Sequence, residues 1–250
     1  MRIRLIRHAT LLVEFGQRLF LVDPMLAEVG SYPSLTFGAT ARRNPTVAIP
    51  CDLDELLSPD AILLTHTHFD HFDAEAVRLI PKDRPVVGQP SDRAKVLARG
   101  FEEFHGVDGT STSWNGIEVA RVEGRHGHGL LRFAMGASSG FALRAAGEPT
   151  LYVVGDSIWC PEVRRAIMTH RPEVIVVNSG ACRFNVGAPI VMDVKDVVQV
   201  CEAAPDSIVV VVHMEAVNHC RLTRAALLEG LTEAGVAGQV RVPGDGDVAV

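Results

Sequence analysis

The sequence contains no apolar stretch that approaches the length of a membrane span, which excludes a membrane-spanning helix. It also lacks low-complexity tracts, obvious repeats and long runs of like charge, and no boundary stands out as a linker. The amino terminus, Met1-Arg2-Ile3-Arg4-Leu5, alternates polar and apolar residues as a strand does and does not have the pattern of a signal peptide. We therefore expect a cytoplasmic protein that is neither secreted nor bound to a membrane.

Cysteines and positive charge are both scarce. The cysteines form no close-spaced pair that could bind a metal, and their odd number fits reduced thiols in cytoplasm: Cys51, Cys160, Cys182, Cys201 and Cys220. We expect each to be a small buried apolar residue. The 24 Lys and Arg residues oppose 30 Asp and Glu residues, for a net charge of −6. This balance argues against nucleic acid as the main ligand, although a local arginine could hold a small anion.

The hydrophobic pattern predicts two sheets with helices outside them. With 47% hydrophobic residues, the 250-residue chain can bury a large core. It opens as an antiparallel meander, and its second half alternates helix and strand. Strands 174–177 and 208–212 are entirely apolar, which indicates burial on both faces. Helices are also expected over 74–80, 91–100 (capped by Ser91), 161–169, 193–203 and 222–234. We predict one domain over residues 1–250, of the α/β (α+β) class, with the four layers of an αββα sandwich.

The connection over residues 24–50 is long, rich in proline and glycine, and has little periodicity. A connection of this length in a compact domain is usually functional or mobile. Its Tyr32, Arg42 and Arg43 make it a candidate lid over a substrate, with an ordinary surface loop as the alternative.

The most informative segment is Thr65-His66-Thr67-His68-Phe69-Asp70-His71, which follows the apolar run 61–64. Neutral imidazoles and a carboxylate are the ligands that zinc and similar metals prefer. If the strand ends near Thr65, the turn can point His66 and His68 to one side, and it leaves Asp70 and His71 free to reach a second metal. The order His-x-His-x-Asp-His is far more restrictive than a lone pair of histidines, so we predict a metal site here.

Further polar residues lie at or near the ends of predicted strands. Asp156 follows strand 151–154, too early to cap the helix from Pro161, and His213 ends the most hydrophobic strand. In Gly124-Arg125-His126-Gly127-His128-Gly129, chemistry alone allows either histidine as a ligand. Three other residues each have two interpretations. His219 either contacts substrate or is exposed at the surface, and Asp73 either accepts a hydrogen bond from a ligand imidazole or caps a helix. For Asp23 we favour structural support beneath the site over a role as a ligand. We assign His8, His105 and His170 to structural or surface positions.

These landmarks resemble those of the metallo-β-lactamase superfamily of metal-dependent hydrolases, and they follow in the same order along nearly the whole chain. They are His8-Ala9-Thr10, Leu21-Val22-Asp23-Pro24, the histidine motif, Gly124-Arg125-His126-Gly127, Tyr152–Ser157 and Val211–Met214. The opening and the length look most like the branch of L-ascorbate-6-phosphate lactonase. The resemblance implies the αββα fold and favours His126 over His128 as the ligand.

The resemblance also implies two divalent ions, zinc first, with manganese and iron as alternatives. One ion would be held by His66, His68 and His126, and the other by Asp70, His71 and His213, with Asp156 between them. Asp70, Asp156 and His213 would act in catalysis, and a hydroxide between the ions would attack the substrate. His128 and His219 would then line the substrate pocket.

We therefore expect a hydrolase of a small ester, lactone or phosphodiester. An antibiotic-hydrolysing relative would typically lack Asp156, a diiron oxidoreductase would typically have glutamate in place of His68 and a flavin domain, and RNA nucleases carry basic RNA-gripping additions. The alternatives are a mononuclear sulfur dioxygenase and a metal-binding protein without turnover. Arg183, with Arg42 and Arg43, leads us to predict an anionic substrate. We expect no nucleic-acid or membrane partner, and the sequence is compatible with a homo-oligomer.

Overall fold

The computed structural model describes residues 1–35, 40–109, 111–185 and 187–250. The strands in these ranges are β1 Arg2–Arg7, β2 Thr10–Phe15, β3 Arg18–Val22, β4 Ala61–Leu64, β5 Val86–Gly88, β6 Phe104–Gly106, β7 Thr112–Trp114, β8 Ile117–Glu123, β9 Ser139–Arg144, β10 Leu151–Val153, β11 Val174–Asn178, β12 Ile208–Val212 and β13 Val240–Arg241. The helices are α1 Ala74–Leu79, α2 Arg93–Ala98, α3 Leu131–Met135, α4 Pro161–His170, α5 Val194–Ala203 and α6 Arg224–Glu233. None of these helices is long and apolar enough to cross a membrane.

The strands form two mixed sheets. The first has the order β1-β2-β3-β4-β5-β6, and the second has the order β13-β12-β11-β10-β9-β8-β7. Antiparallel hairpins form one side of each sheet, and parallel pairs form the other: β3 to β6 in the first sheet and β10 to β13 in the second. Because β1, β3 and β4 run in the same direction, as do β8, β10 and β12, several strands end at the same edge of each sheet.

Apolar side chains fill three layers of core. Between the sheets, Leu63 of β4 and Val176 of β11 belong to one buried cluster. On the outer face of the first sheet, α1 and α2 bury Ala76 and Val96; on the outer face of the second, α4, α5 and α6 pack over side chains such as Val177. Alternate residues of β11 therefore enter opposite layers, which explains its continuous apolar sequence. The predicted αββα sandwich is confirmed.

The predicted elements agree with the structure to within a few residues, with one wrong detail and several omissions. A 3-10 turn over Pro90–Asp92 precedes α2, so Asp92 and not Ser91 occupies the position before the helix. The short elements β6, β13 and α3 were not predicted, because elements of two to five residues carry too little periodicity to be distinguished from a loop.

A buried arginine at the end of β1 holds the connection over 24–50 by hydrogen bonds to its backbone. Arg7, at the end of β1, is fully buried, and its guanidinium donates to the carbonyl oxygens of Met25, Ala27 and Val47. Burial lowers the pKa of Arg7 to about 10, which leaves it charged at neutral pH. The part of the predicted lid at residues 36–39 lies outside the described residues.

Candidate metal centre

The candidate ligands converge at the edge where the strands end. β4 leads into His66, β8 into His126, β10 into Asp156 and β12 into His213, while Asp70 and His71 follow on the loop after β4. Of the seven predicted ligands, all but His68 are buried, and His68 is half-buried. Fold topology therefore brings together residues that are up to 147 positions apart in the sequence (66 to 213).

One set of donor atoms comes from His66, His68 and His126. His66 Nε2 lies 3.0 Å from His68 Nδ1, and the three side chains each offer a nitrogen within 4.8 Å of the others. The other nitrogen of His126, Nδ1, lies 2.9 Å from the carbonyl oxygen of Ile190, which orients Nε2 toward the set. This arrangement is the first predicted ligand set.

The second set comes from Asp70, His71 and His213. The Nε2 atoms of His71 and His213 are 3.2 Å apart, and Asp70 Oδ2 lies 3.9 Å from the first and 3.7 Å from the second. This is the second predicted ligand set.

Asp156 lies between the two sets and turns one carboxylate oxygen toward each. Oδ1 is 3.3 Å from His71 Nε2 and 3.4 Å from His213 Nε2. Oδ2 is 3.5 Å from His126 Nε2 and 3.9 Å from His66 Nε2. Asn178, at the end of β11, donates from Nδ2 to Oδ1 at 2.8 Å and fixes the carboxylate.

The spacing of these atoms fits a bound cation. Four ligands at 2.0–2.1 Å from a tetrahedral zinc ion lie roughly 3.3 Å from one another. The distances among His71 Nε2, His213 Nε2 and Asp156 Oδ1 are 3.2, 3.3 and 3.4 Å. Imidazole nitrogens that face each other in a buried site are costly unless a proton or a metal lies between them. The donor types and their spacing therefore both fit divalent metal.

The acid–base properties of the site reflect burial and opposing charge. Burial raises the pKa of Asp156, but the neighbouring His213, His71 and His126 outweigh it and hold that pKa well below its usual range. Conversely, burial lowers the pKa of His213, but Asp156 and the neighbouring Cys220 together outweigh it and raise that pKa to about 9. For His66, burial and the charge of His71 lower the pKa well below its usual value. A metal entering the second set must therefore displace protons, whereas His66 is neutral and ready to bind.

Asp23 supports the second set from behind. Its Oδ2 lies 2.8 Å from His71 Nδ1, and its two oxygens accept from the backbone N–H and the hydroxyl of Thr65. A carboxylate in this position fixes the imidazole tautomer and orientation. The predicted contact of Asp73 with a ligand imidazole is wrong: its carboxylate accepts from Ala76 N at the start of α1 and from Ala27 N. Asp73 is a helix cap.

We predict that Asp23→Asn lowers metal affinity about 10- to 100-fold, the range typical of partners behind a ligand. An asparagine oxygen can accept from only one side and carries no charge to balance a cation. The measurement is metal affinity by competition with a chelator. Asp60→Asn, a half-exposed residue just before β4 that pairs with Arg18, is the matched control and should leave affinity unchanged. An unaltered affinity in Asp23→Asn would show that His71 needs no support.

His8 was wrongly assigned away from the site. It is fully buried at the end of β1, with Nε2 3.2 Å from Asp70 Oδ2 and its ring 3.6 Å, centre to centre, from that of His213. Burial and the charge of His213 lower the pKa of His8 to about 4, so it is neutral and can donate from Nε2 to Asp70. The sequence could have indicated this position, because His8 follows β1 as His66 follows β4. Since β1 and β4 run in the same direction, both histidines lie at the same edge of the sheet.

The predicted substrate residues lie in different environments. His128 is exposed, unlike its buried neighbour His126. His219 is buried, so its alternative as a surface residue is wrong, and its Nδ1 has no hydrogen-bond partner among the described residues. Arg183 is exposed. The guanidinium groups of Arg42 and Arg43 donate to carbonyl oxygens of their own connection, at Thr46 and at Gly30 and Ser31. Arg42 and Arg43 therefore stabilise the loop.

Comparison with known proteins shows the family of this chain. Residues 18–214 match the family model described as "Beta-lactamase superfamily domain". The UPF0173 protein YddR of Bacillus subtilis (strain 168) is 39% identical over 255 residues, which covers 99% of this chain and 98% of that protein. The chain therefore belongs to the metallo-β-lactamase superfamily and, within it, to the UPF0173 family of metal-dependent hydrolases.

Two solved structures are similar over the full length. The isothiocyanate hydrolase from Delia radicum gut bacteria is 32% identical with a TM-score of 0.94, and covers 100% of this chain and 99% of its own. A "possible metal-dependent hydrolase" from Veillonella parvula is 31% identical with a TM-score of 0.95 and the same coverage. This chain is similar to both in fold and length.

Proposed function

We propose that this protein is a hydrolase that uses two divalent metal ions, with zinc as the first candidate and manganese and iron as alternatives. The observation that carries the proposal is the position of Asp156, whose two oxygens face two separate sets of three donors. A structural zinc site is closed by four ligands from one cluster and needs no shared carboxylate. Two adjacent three-donor sets with a carboxylate between them are suited to catalysis.

Two ions in this site would lower the pKa of a shared water toward neutrality and polarise the bond under attack. The protein's own residues supply the orientation. Asp23 holds His71, Asn178 holds Asp156, and the Nε2–H of His8 donates to Asp70. Burial of these groups excludes bulk water and strengthens each electrostatic contact. Within this proposal, Asp70, Asp156 and His213 act through the metals, so no serine, cysteine or lysine nucleophile is required.

The first substrate class is a small ester, lactone or phosphodiester, as in the proposed likeness to L-ascorbate-6-phosphate lactonase. A second class is favoured by the full-length similarity to an isothiocyanate hydrolase. In the hydrolysis of an isothiocyanate, R–N=C=S, the oxygen of water bonds to the central carbon and one proton of water goes to the nitrogen. The second proton then goes to the nitrogen as the C–N bond breaks, which releases carbonyl sulfide and the amine. A cavity of about 370 Å³ beside His126 is lined in part by Phe133, which could pack against an organic substituent.

The test is a substrate panel with the zinc- and manganese-loaded protein: lactones, phosphodiesters, carboxylic esters, and alkyl and aryl isothiocyanates. We expect turnover of one class that a chelator abolishes and added metal restores. Carbonyl sulfide and amine in equal amounts would identify the isothiocyanate reaction. Oxygen uptake during turnover would instead indicate a sulfur dioxygenase. Full metal loading with no turnover in any class would favour a binding protein.

We propose that Arg183 binds the negative charge of an anionic substrate. If the exposed Arg183 guanidinium binds a carboxylate or phosphate, Arg183→Ala should raise KM for anionic substrates about tenfold or more and leave kcat nearly unchanged. Arg165→Ala, also exposed but on α4, is the control. Equal rates for neutral and anionic substrates, with no change in KM for Arg183→Ala, would contradict this proposal.

A further inference from the structure

Cys182 and Cys220 form a pair that their separation in the sequence conceals. Their sulfur atoms are 2.8 Å apart, although the residues are 38 positions apart. Cys182 is buried in an apolar cluster, as expected, and Cys220 is partly buried against it; the contact between the two was not predicted. The remaining three, Cys51, Cys160 and Cys201, have no cysteine contact among the hydrogen bonds of the described residues.

The backbone holds the two thiols together. The segments that carry them lie side by side: the N–H of Arg183 donates to the carbonyl of His219, and the N–H groups of Arg221 and Leu222 both donate to the carbonyl of Gly180. These bonds flank the cysteine pair on both sides. The backbone therefore brings the two cysteines close together, and the contact between the sulfur atoms does not depend on side-chain rotamers alone.

The pair also touches the metal ligand His213 on the side away from the centre. Cys182 Sγ lies 3.7 Å from His213 Nδ1, and the Cys220 thiol donates to the His213 carbonyl oxygen at 3.7 Å. His213 has a φ of 68°, in the left-handed region, and such a conformation persists only where the surroundings hold it. The thiols are part of those surroundings.

We propose that Cys182 and Cys220 are a redox-active dithiol whose oxidation to a disulfide weakens metal binding at His213. Cys182 is fully buried and residue Cys220 is only partly buried, so we assign the first reaction with a small oxidant to Cys220. A disulfide bond is about 2.05 Å long, so the sulfur atoms need to approach by less than about 1 Å. The metal part of this inference rests on the proposed function.

The oxidant we assign is a peroxide. Cys220 Sγ attacks one oxygen of hydrogen peroxide, the O–O bond breaks, and one water leaves as the sulfenic acid forms. Cys182 Sγ then attacks the sulfenic sulfur, the S–S bond forms, and the hydroxyl group leaves as the second water with the thiol proton. Two thiols are oxidised by two electrons, and one peroxide is reduced to two waters. A thiol reductant reverses the step.

The disulfide would act on His213 through two contacts. The Cys220 S–H group no longer exists to donate to the His213 carbonyl, and both sulfur atoms move toward each other. The imidazole loses part of the packing that fixes its orientation, while Ser179, whose carbonyl oxygen lies 3.3 Å from Nδ1, remains. Loss of contacts behind a ligand typically reduces metal affinity 10- to 100-fold.

The experiment uses the zinc-loaded, full-length protein before and after hydrogen peroxide, with two readouts. Mass spectrometry of an unreduced digest should find the peptides containing Cys182 and Cys220 joined, 2 Da lighter than their sum. The rate of zinc transfer to a chelator should increase about tenfold or more and return to its initial value after reduction. Neither readout requires a substrate.

Three variants make the test specific. Cys220→Ser, and Cys182→Ala as a second variant, should show no peroxide-induced change in zinc transfer. Cys201→Ser, which removes a buried cysteine of α5, should respond like the unaltered protein. Absence of the joined peptides would overturn the proposal, as would a mapped disulfide with unchanged zinc transfer or an equal peroxide response in Cys220→Ser. If the reduced protein bound no zinc, the proposed metal centre would be contradicted. The proposed effect of the disulfide on metal binding would then be contradicted as well.

Discussion

Replacing Asp156 with asparagine should remove most of the bound metal and lower turnover more than a hundredfold. Both carboxylate oxygens face donor sets, Oδ1 toward His71 and His213 and Oδ2 toward His126. An amide offers one oxygen and no negative charge, so one set loses its shared ligand and several imidazoles lose their counter-charge. This loss should exceed the 10- to 100-fold loss of metal affinity or activity that is typical when a residue that only supports a ligand is replaced.

Metal content by elemental analysis and turnover of any substrate identified are the two measurements. Asp193→Asn is a matched control, because Asp193 caps α5 outside the site and asparagine caps a helix about as well as aspartate. It should retain both metal and activity. Two ions per chain and unaltered turnover in Asp156→Asn would contradict the bridging role of Asp156.

The second large effect separates His126 from its neighbour His128. His126→Ala removes a buried nitrogen from the first donor set, so we expect the loss of one ion and of most turnover. His128→Ala changes an exposed side chain, so we expect both ions to remain and any defect to be in KM. The pair is a natural control, because both substitutions remove an imidazole from the same glycine-rich loop.

The measurement is again metal per chain, made on the two variants after identical reconstitution. If His128→Ala lost an ion and His126→Ala retained two, the first donor set would be misassigned by two residues. The buried position of His126 and the contact of its Nδ1 with the Ile190 carbonyl lead us to expect the opposite.

The layers of the fold could be predicted because the pattern of apolar residues within a strand indicates which of its faces are buried. β11 and β12 are apolar at every position except Asn178, and this pattern alone indicates cover on both faces. The predicted ligands could be found for a related reason. They follow apolar strands at their ends, where a histidine or aspartate has no structural need to be buried.

The contacts behind the ligands could be predicted only in part, because they join residues that are far apart in sequence and chemically ordinary. The sequence indicated support beneath the site for Asp23, but it did not indicate that His71 is the partner. Asp23 and Asp73 are both aspartates near a predicted turn, and only the fold determines that Asp23 meets His71 while Asp73 caps α1. Asn178 and the Cys182–Cys220 pair are similar cases. No local sequence pattern shows that Asn178 contacts Asp156 or that the two cysteines contact each other.

The number of metal ions per chain tests the central claim most directly. The purified protein should be stripped with a chelator, reconstituted with excess zinc or manganese, freed of unbound metal and measured by elemental analysis against protein concentration. The seven candidate ligands, with Asp156 between the two sets, lead us to expect two ions per chain. One ion or fewer after reconstitution with each metal would contradict the dinuclear mechanism, whereas the fold would stand.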